Sequence, residues 1–451
     1  MQKIFDGFSA ITRDEWIKQI EKELKGKSIE SLNWKISDTL ILKPFYLADD
    51  LSRNTNDVRI SIAQQREICE YIIVENIQKA NKRALSALMR GANALHFNCI
   101  NAEISIEFFE QLLNEIQWPY IQIHFTINQG VAFVNYLYDW CKKNNLNSNE
   151  LKGSICFDVY HREMLKGITA DEKDFKLFIS SVKELFPGLS NLCINATSYL
   201  NAGANTIQEL AYTSSQVNEY LNLLDNENLL KQINSIQIQI AVGSNYLVEI
   251  AKLRALRILI ASIIEKYNLQ IDFKIHAFTA TINKSHKDAY NNMLRATTEA
   301  MSAIVGGANQ ISVLPYDDIT AETTEFSERI ARNISLILSE ESYLDKVIDP
   351  AAGSYMLEIL TNELSKQSWE KFCSIEDKGG WYKILKNGEL IKDIESHAEK
   401  LIEQYKEGKK VLIGVNKYPN KDDKELVISS NNSKATSEPN TLTELIISSM
   451  L

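Results

Sequence analysis

The apolar patterning of the chain predicts an α/β fold, a closed (β/α)8 barrel of TIM type flanked by an N-terminal helical arm and a C-terminal helical and disordered extension. Eight short β-branched or apolar runs recur with starts roughly 35 residues apart, the length of one strand, one helix and two loops. The segments between them carry apolar residues at helical rather than alternating spacing. The competing architecture is a doubly wound open sheet; eight units and the lack of a Gly-x-Gly-x-x-Gly loop favour the barrel.

The elements follow in chain order. Residues 1–75 make the arm, in which Thr12 and Glu15 form a capping box ahead of Ile17, Ile20 and Leu24, and Gly26 ends the helix. So short an arm cannot bury its apolar face alone, so it lies on the barrel or on another subunit. The barrel occupies residues 76–385. Its strand signals are Leu95 to Cys99, Ile121 to Thr126, Ile155 to Val159, Leu192 to Asn195, Ile236 to Val242, Ile271 to Ala277, Gln310 to Leu314 and Lys346 to Asp349. Between them, Ile207, Leu210, Ala211, Val217, Leu221 and Leu224 form one helical stripe, and Ile330, Ile334, Ile337 and Leu338 form another. Each stripe gives its helix one face to pack on the sheet. Strand-then-helix repetition implies parallel strands, because a crossover helix must return the chain to the same end before the next strand begins.

Helical patterning continues from Leu364 to Tyr405, and residues 386–415 are assigned to a C-terminal helix. From Asn416 the composition shifts to Asn, Ser, Lys, Asp and Thr, so residues 416–451 read as a polar tail that cannot support a core. Leu442 to Leu451 regain apolar character, which leaves two readings open, a frayed end and a docking segment for a partner.

Composition excludes several function classes. The net charge of −10 arises from 59 acidic and 49 basic residues mixed along the chain, with no basic stripe to neutralise phosphates, so nucleic acid is not an expected partner. The N-terminus, with Asp6 and Arg13, has no apolar stretch long enough for a signal peptide. The longest apolar run, Ile258 to Ile264, is too short to span a bilayer. A cytoplasmic location without membrane contact is expected. The six cysteines contain no Cys-x-x-Cys pair and are read as reduced and structural.

Barrel chemistry belongs at the C-terminal strand ends, which nominates Asn98, Thr126, Asp158, Asn195, His276, Asp317 and Asp349. Asp158 with His161 is the most suggestive pair, since an aspartate can orient an imidazole as general base. Asp317 and Asp318 have the charge to hold a divalent cation but no third oxygen ligand follows from spacing, and no histidine pattern fits zinc. No Walker loop or nucleophile elbow is present.

Several segments are more specific. Glu325-Phe326-Ser327-Glu328-Arg329-Ile330-Ala331-Arg332-Asn333, then Glu340-Glu341-Ser342, then Asp349-Pro350-Ala351-Ala352-Gly353-Ser354-Tyr355 resemble the seventh-to-eighth strand region of methylmalonyl-CoA mutases. In the same order, Ala202-Gly203-Ala204 with Glu209-Leu210-Ala211-Tyr212-Thr213 is similar to the segment after strand four. Ala241-Val242-Gly243-Ser244-Asn245 with Glu249-Ile250-Ala251-Lys252-Leu253-Arg254 is similar to strand five and its helix. Tyr290-Asn291-Asn292, Arg295, Glu299-Ala300-Met301 and Gly306-Gly307 continue the resemblance, which covers most of residues 190–385.

The resemblance implies adenosylcobalamin, a coenzyme A ester and radical rearrangement of methylmalonyl-CoA to succinyl-CoA, with the cofactor carrying the chemistry. It also implies where this chain departs. Ala196-Thr197-Ser198 falls on the family's Gly-Tyr-His run, so Ser198 replaces a catalytic histidine. Ala280-Thr281-Ile282-Asn283 falls on its Ser-Gly-Trp-Ser substrate segment and Phe278 on the preceding glutamine. The degenerate positions are therefore Ser198, Phe278, Ala280 and Ile282, with no catalytic, cofactor-binding or metal-binding residue expected. None of His96, His124, His161, His276, His286 and His397 lies in the Asp-x-His-x-x-Gly cobalamin signature, and the chain ends too soon after the barrel for a cobalamin-binding domain.

These losses resemble the small (beta) subunit of heterodimeric bacterial mutases. The expectation is a non-catalytic barrel that stabilises a methylmalonyl-CoA mutase large (alpha) subunit, which binds adenosylcobalamin and the acyl-CoA substrate. An inactive barrel can fill its axis, and Phe97, Phe125, Phe157 and Phe278 are candidates, although the first three could equally face the helices. Two alternatives remain: an independent lyase or hydrolase using Asp158, His161 and Asp317, and a subunit of another acyl-CoA mutase such as isobutyryl-CoA mutase.

Overall fold

Eight parallel strands form a ring: β1 Glu67–Ile73, β2 Ala94–Asn98, β3 Gln122–Thr126, β4 Lys152–Cys156, β5 Leu192–Asn195, β6 Ile236–Val242, β7 Phe273–Thr279 and β8 Gln310–Ser312. The structure, a computed structural model, describes residues 11–37, 39–51, 66–320, 323–420, 422, 426–429 and 440–451. The remaining parts of the expected arm and tail, Asp6 among them, lie outside the described residues.

Each strand pairs with its sequence neighbours, and β8 returns to β1 with Gln310 beside Glu67. The seam lies at Asn191, where the fifth strand is interrupted. Leu189–Ser190 pairs with β4, and Leu192–Asn195 pairs with β6. Asn191 satisfies the interrupted backbone: its Nδ2 donates to the carbonyls of Ile179 (3.0 Å) and Gln232 (2.8 Å), and its Oδ1 accepts from Asn234 N (2.8 Å). Gly153 lets β3 and β4 approach closely; at its φ of +138° an added Cβ would lie 1.8 Å from the Ile123 carbonyl oxygen.

Two strand expectations are corrected. Glu67–Ile73 is the first barrel strand, so the barrel begins before residue 76. Its charges hide it from an apolar search, yet each has a partner: Glu70 bonds Arg83 (3.1 Å) and Arg332 (2.8 Å), while Glu67 faces the barrel axis. Lys346 to Asp349, expected as the eighth strand, is a turn. Val347 and Ile348 are exposed there, and Asp349 accepts from the buried Arg254 at 2.6 and 2.8 Å. The run Ile155 to Val159 is also displaced, because Val159 already opens the helix Val159–Lys166.

Strand alternation is strict and unusual in its polarity. Leu95, Phe97, Ile123, Phe125, Ile155, Ile194, Ile238, Ile240 and Ile275 are fully buried in the main apolar core. The alternate positions, Glu67, His96, His124, Ser154, Gln237, Gln239, His276, Gln310 and Ser312, are polar and buried too. Phe125 packs edge-on against Trp118 (5.6 Å) and Phe133 (5.2 Å), Phe97 stacks on Phe125, and Phe157 meets Phe178 (5.3 Å). These three phenylalanines therefore belong to the helix side of the sheet, leaving Phe278 alone among the four on the axis.

In the arm, the helix Arg13–Glu23 has the expected Thr12/Glu15 capping box. A short ribbon, Trp34–Lys35 against Ile41–Leu42, follows it. Leu40 and Leu42 are buried, and Thr39 Oγ1 donates to Gln367 Oε1 (2.9 Å) on the helix Tyr355–Asp377. Ile11, Trp16, Leu32, Trp34 and Ile41 remain exposed. Among the described residues, no helix is long and apolar enough to cross a membrane.

Candidate functional site: the barrel axis and its C-terminal mouth

Three layers of side chains fill the barrel axis. At the N-terminal end, Glu67 Oε2 lies 3.0 Å from His124 Nε2, Gln310 bonds both Glu67 and Gln237, and Lys274 Nζ reaches Gln122 Oε1 (3.1 Å) and Glu67 Oε1 (3.5 Å). Burial opposes ionisation of Glu67. Its bonds to His124 and Gln310 and the nearby charges outweigh that and hold its carboxyl below the ordinary range.

The middle layer holds His96 and His276, with ring centroids 5.3 Å apart. His96 Nε2 pairs with Thr126 Oγ1 (2.7 Å) and His276 Nε2 with Ser312 Oγ (2.9 Å). Because Ser312 donates to the Cys69 carbonyl (2.9 Å), it accepts from His276, which fixes the Nε2–H tautomer. Above them, Phe278 stacks on the His276 ring at 4.2 Å and meets Tyr71 edge-on at 5.4 Å. Tyr71 in turn accepts from Asn98 (2.8 Å).

Burial pushes both His96 and His276 far below the ordinary imidazole value, with the neighbouring histidines adding to the shift. In acid an unfolded histidine gains a proton that the folded one refuses, so the folded state loses relative stability as pH falls below about 6.5. His276→Gln is therefore expected to flatten the acid limb by about 1.4 kcal/mol per pH unit, one proton's worth. Urea unfolding of both proteins between about pH 4.5 and 7.5 measures this; parallel curves would contradict the assignment.

At the mouth, Asp158 caps the helix Val159–Lys166. Its Oδ1 accepts from His161 N (2.9 Å) and Tyr220 OH (2.7 Å), and its Oδ2 from Asn195 N (2.8 Å) and Gln216 Nε2 (3.0 Å). Burial pushes its carboxyl up to about 6, against the pull of these donors. Asp158 thus meets the backbone of His161. The His161 ring, pushed down to about 4 by burial, lies with Nε2 2.9 Å from Ser198 Oγ, and Ser198 donates to Glu444 Oε1 (2.6 Å). The hydroxyl proton points at the carboxylate, the reverse of the arrangement in which an imidazole activates a serine.

Ala280 and Ile282 line the same mouth. Both are buried in a small cluster with Ala241, Tyr405, Leu412 and Ile447. Asn98 and Thr126 serve Tyr71 and His96, Asn195 accepts from Thr197 Oγ1 (2.6 Å), and Asp349 serves Arg254. Asp317 and Asp318 follow β8 on a turn; burial raises both, Asp318 to about 6. Among the described residues, no group of three or more His, Cys, Asp or Glu is arranged to hold a metal ion. Sequence reasoning singled out His276 and Phe278 but missed the polar residues beneath them: His124, Gln237, Gln239 and Gln310 alternate with apolar residues, a pattern that period-two reading assigns to a solvated face.

The family described as methylmalonyl-CoA mutase matches residues 99–445. A "Methylmalonyl-CoA mutase small subunit" of Porphyromonas gingivalis is 31% identical over 93% of this chain and 71% of its own length. A "Methylmalonyl-CoA mutase" of Cereibacter sphaeroides is 30% identical over 90% of this chain and 64% of its own length, so this chain spans about two thirds of such relatives. A second protein named "Methylmalonyl-CoA mutase small subunit", from Streptomyces virginiae, is 28% identical over 84% of the chain. The ring of strands, the matched segments and the extent of these similarities place the chain in the methylmalonyl-CoA mutase family.

Proposed function

We propose that this chain is the small (beta) subunit of an adenosylcobalamin-dependent methylmalonyl-CoA mutase, silent on its own and stabilising a large subunit that holds the cofactor and the acyl-CoA. The observation that carries this is the filled axis. Phe278, His276, His96 and the Glu67–His124–Gln310 layer leave side chains where a catalytic mutase barrel, unlike most barrels, must keep a channel for the pantetheine arm of its substrate. Ser198, held by Glu444, has neither the acid–base range of a histidine nor a free hydroxyl to offer a thioester carbonyl.

The residues present do not fit adenosylcobalamin. The family resemblance implies a protein imidazole as the cobalt ligand, and none of the six histidines is exposed. His96, His124 and His276 sit in the axis, His161 is bound to Ser198, His286 to Ser448 (3.0 Å) and His397 to the Gly203 carbonyl (2.6 Å). The cofactor therefore belongs to the partner in this reading. The exposed Trp16, Leu32, Trp34 and Ile41 give the arm an apolar surface for that partner.

Co-expression with the large mutase subunit of the same genome, followed by size-exclusion chromatography and a methylmalonyl-CoA to succinyl-CoA assay, tests the proposal. The expected result is a one-to-one complex that turns over only with adenosylcobalamin, and no turnover by this chain alone. Failure to associate, or turnover by the isolated chain, would overturn it.

A further inference from the structure

The last twelve described residues, 440–451, do not trail into solvent. They cross the C-terminal end of the barrel and bond to the segments that follow three strands, two of them short helices. Leu442 N donates to the Met164 carbonyl (2.8 Å) after β4, Leu445 N to the Asn201 carbonyl (2.8 Å) after β5, and Ile447 N to the Ile282 carbonyl (3.1 Å) after β7. Side chains reinforce this ladder. Ser198 donates to Glu444, and Ser448 Oγ donates to the Lys284 carbonyl (3.1 Å) and lies 3.0 Å from His286 Nδ1.

The apolar contacts are equally specific. Leu442, Ile446 and Ile447 are each less than 7% exposed, and Ile447 joins Ala280, Ile282 and Leu412 in the cluster at the mouth. Gly203, with φ of +94°, keeps the floor of this path low: a Cβ there would lie 2.7 Å from Ala398 Cβ and 3.5 Å from Leu445 Cδ1. The arrangement has the two parts of extended-peptide recognition, in which main-chain bonds supply attachment and pockets for spaced side chains supply selectivity.

We propose that the barrel mouth is a peptide-binding groove whose occupant is the chain's own residues 440–451, an internal strap across the face on which barrels place their chemistry. The groove selects a segment that is extended up to Ile446 and turns at Ile447–Ser449, with aliphatic side chains at 442, 446 and 447 and a carboxylate at 444. This goes beyond the subunit role and holds whether or not a large subunit binds. Three of the degenerate positions then acquire a present use: Ser198 bonds the strap's carboxylate, Ile282 accepts from its backbone, and Ala280 packs with its Ile447.

Two measurements on the full chain test it. In hydrogen exchange, the amides of Leu442, Leu445 and Ile447 are expected to be protected at least tenfold over unstructured peptide, and a Leu442→Asp/Ile447→Asp variant is expected to lose that protection while strand amides keep theirs. A fluorescein-labelled synthetic peptide of residues 440–451 is then expected to bind this variant saturably in an anisotropy titration and to ignore the wild-type chain, whose groove is filled. A labelled peptide with the same two aspartates is expected to bind the variant at least tenfold more weakly. Unprotected amides in the wild-type chain would overturn the proposal, as would a peptide that does not bind a variant whose strands remain protected. Equal binding of the peptide to both proteins would overturn it too.

Discussion

Lys252→Met is expected to lower the unfolding free energy by about 3–5 kcal/mol near neutral pH, among the largest single-residue effects in this protein. Lys252 is fully buried, and its Nζ bonds Glu209 (2.9 Å), Glu249 (2.6 Å) and the Ala241 carbonyl (2.7 Å). Its removal leaves two buried carboxylates without a counter-charge and one carbonyl without a donor. The pH dependence identifies the cause. Burial pushes Glu209 up to about 7 even with Lys252 pulling it down, and Glu249 adds to the rise. A carboxyl raised on folding binds its proton more tightly in the folded state. The stability it contributes is present at low pH and is lost as pH rises through the folded value. Without the ammonium that value climbs further, so the variant's deficit is largest at about pH 8 and shrinks toward about pH 5. Urea unfolding at both pH values measures it, and Glu209→Gln added to Lys252→Met is expected to restore part of the loss. A deficit that does not change with pH would point to lost packing instead.

The position of Lys252 explains what the sequence made legible. The segments by which the family is recognised lie on buried ion networks that lock the outer helices together. Glu209 and Lys252 join two of those helices, Arg254 ties Asp349 (2.6 Å) to Glu358 (2.8 Å), and Lys284 meets Glu299 (2.6 Å). A buried charge tolerates few replacements, because its partner is left uncompensated, so such residues mark a scaffold clearly without reporting chemistry. The barrel was legible from apolar spacing for the same structural reason: every strand must show an apolar face to the helices. The first strand was not, since Glu67 and Glu70 broke its pattern and their partners lie far along the chain, at His124 and Arg332. The strap over the mouth was hidden as well. Leu442 to Leu451 read as a weakly apolar end, and nothing local announces that its contacts are Met164, Asn201 and Ile282. Phe97, Phe125 and Phe157 illustrate the limit of residue type: an aromatic on a strand fills whichever side the register assigns to it.

Asp158 provides the sharpest separation between a structural and a chemical reading of the mouth. As a general-base partner it would orient the His161 ring, and its loss would abolish turnover while leaving the fold intact. The geometry assigns it another task. Two backbone N–H groups, Tyr220 and Gln216 all donate to it, and Gln216 continues the chain by accepting from Tyr199 (2.8 Å), whose hydroxyl accepts from Trp381 Nε1 (2.9 Å). This path connects the strand ends of the barrel to the C-terminal helices. Asp158→Ala is therefore expected to cost about 3–5 kcal/mol, the sum of a lost helix cap and several buried donors without an acceptor. Asp158→Asn keeps one acceptor oxygen but turns an NH2 toward Asn195 N or Gln216, so about half that loss is expected. Chemical denaturation of the three proteins gives the order wild type, Asn, Ala. A normal midpoint for Asp158→Ala would remove the structural assignment and return Asp158 to consideration as a catalytic group. The expected graded loss would instead identify the mouth as a place where the polar groups hold loops together, consistent with Ser198 and Glu444 being engaged by the same surface.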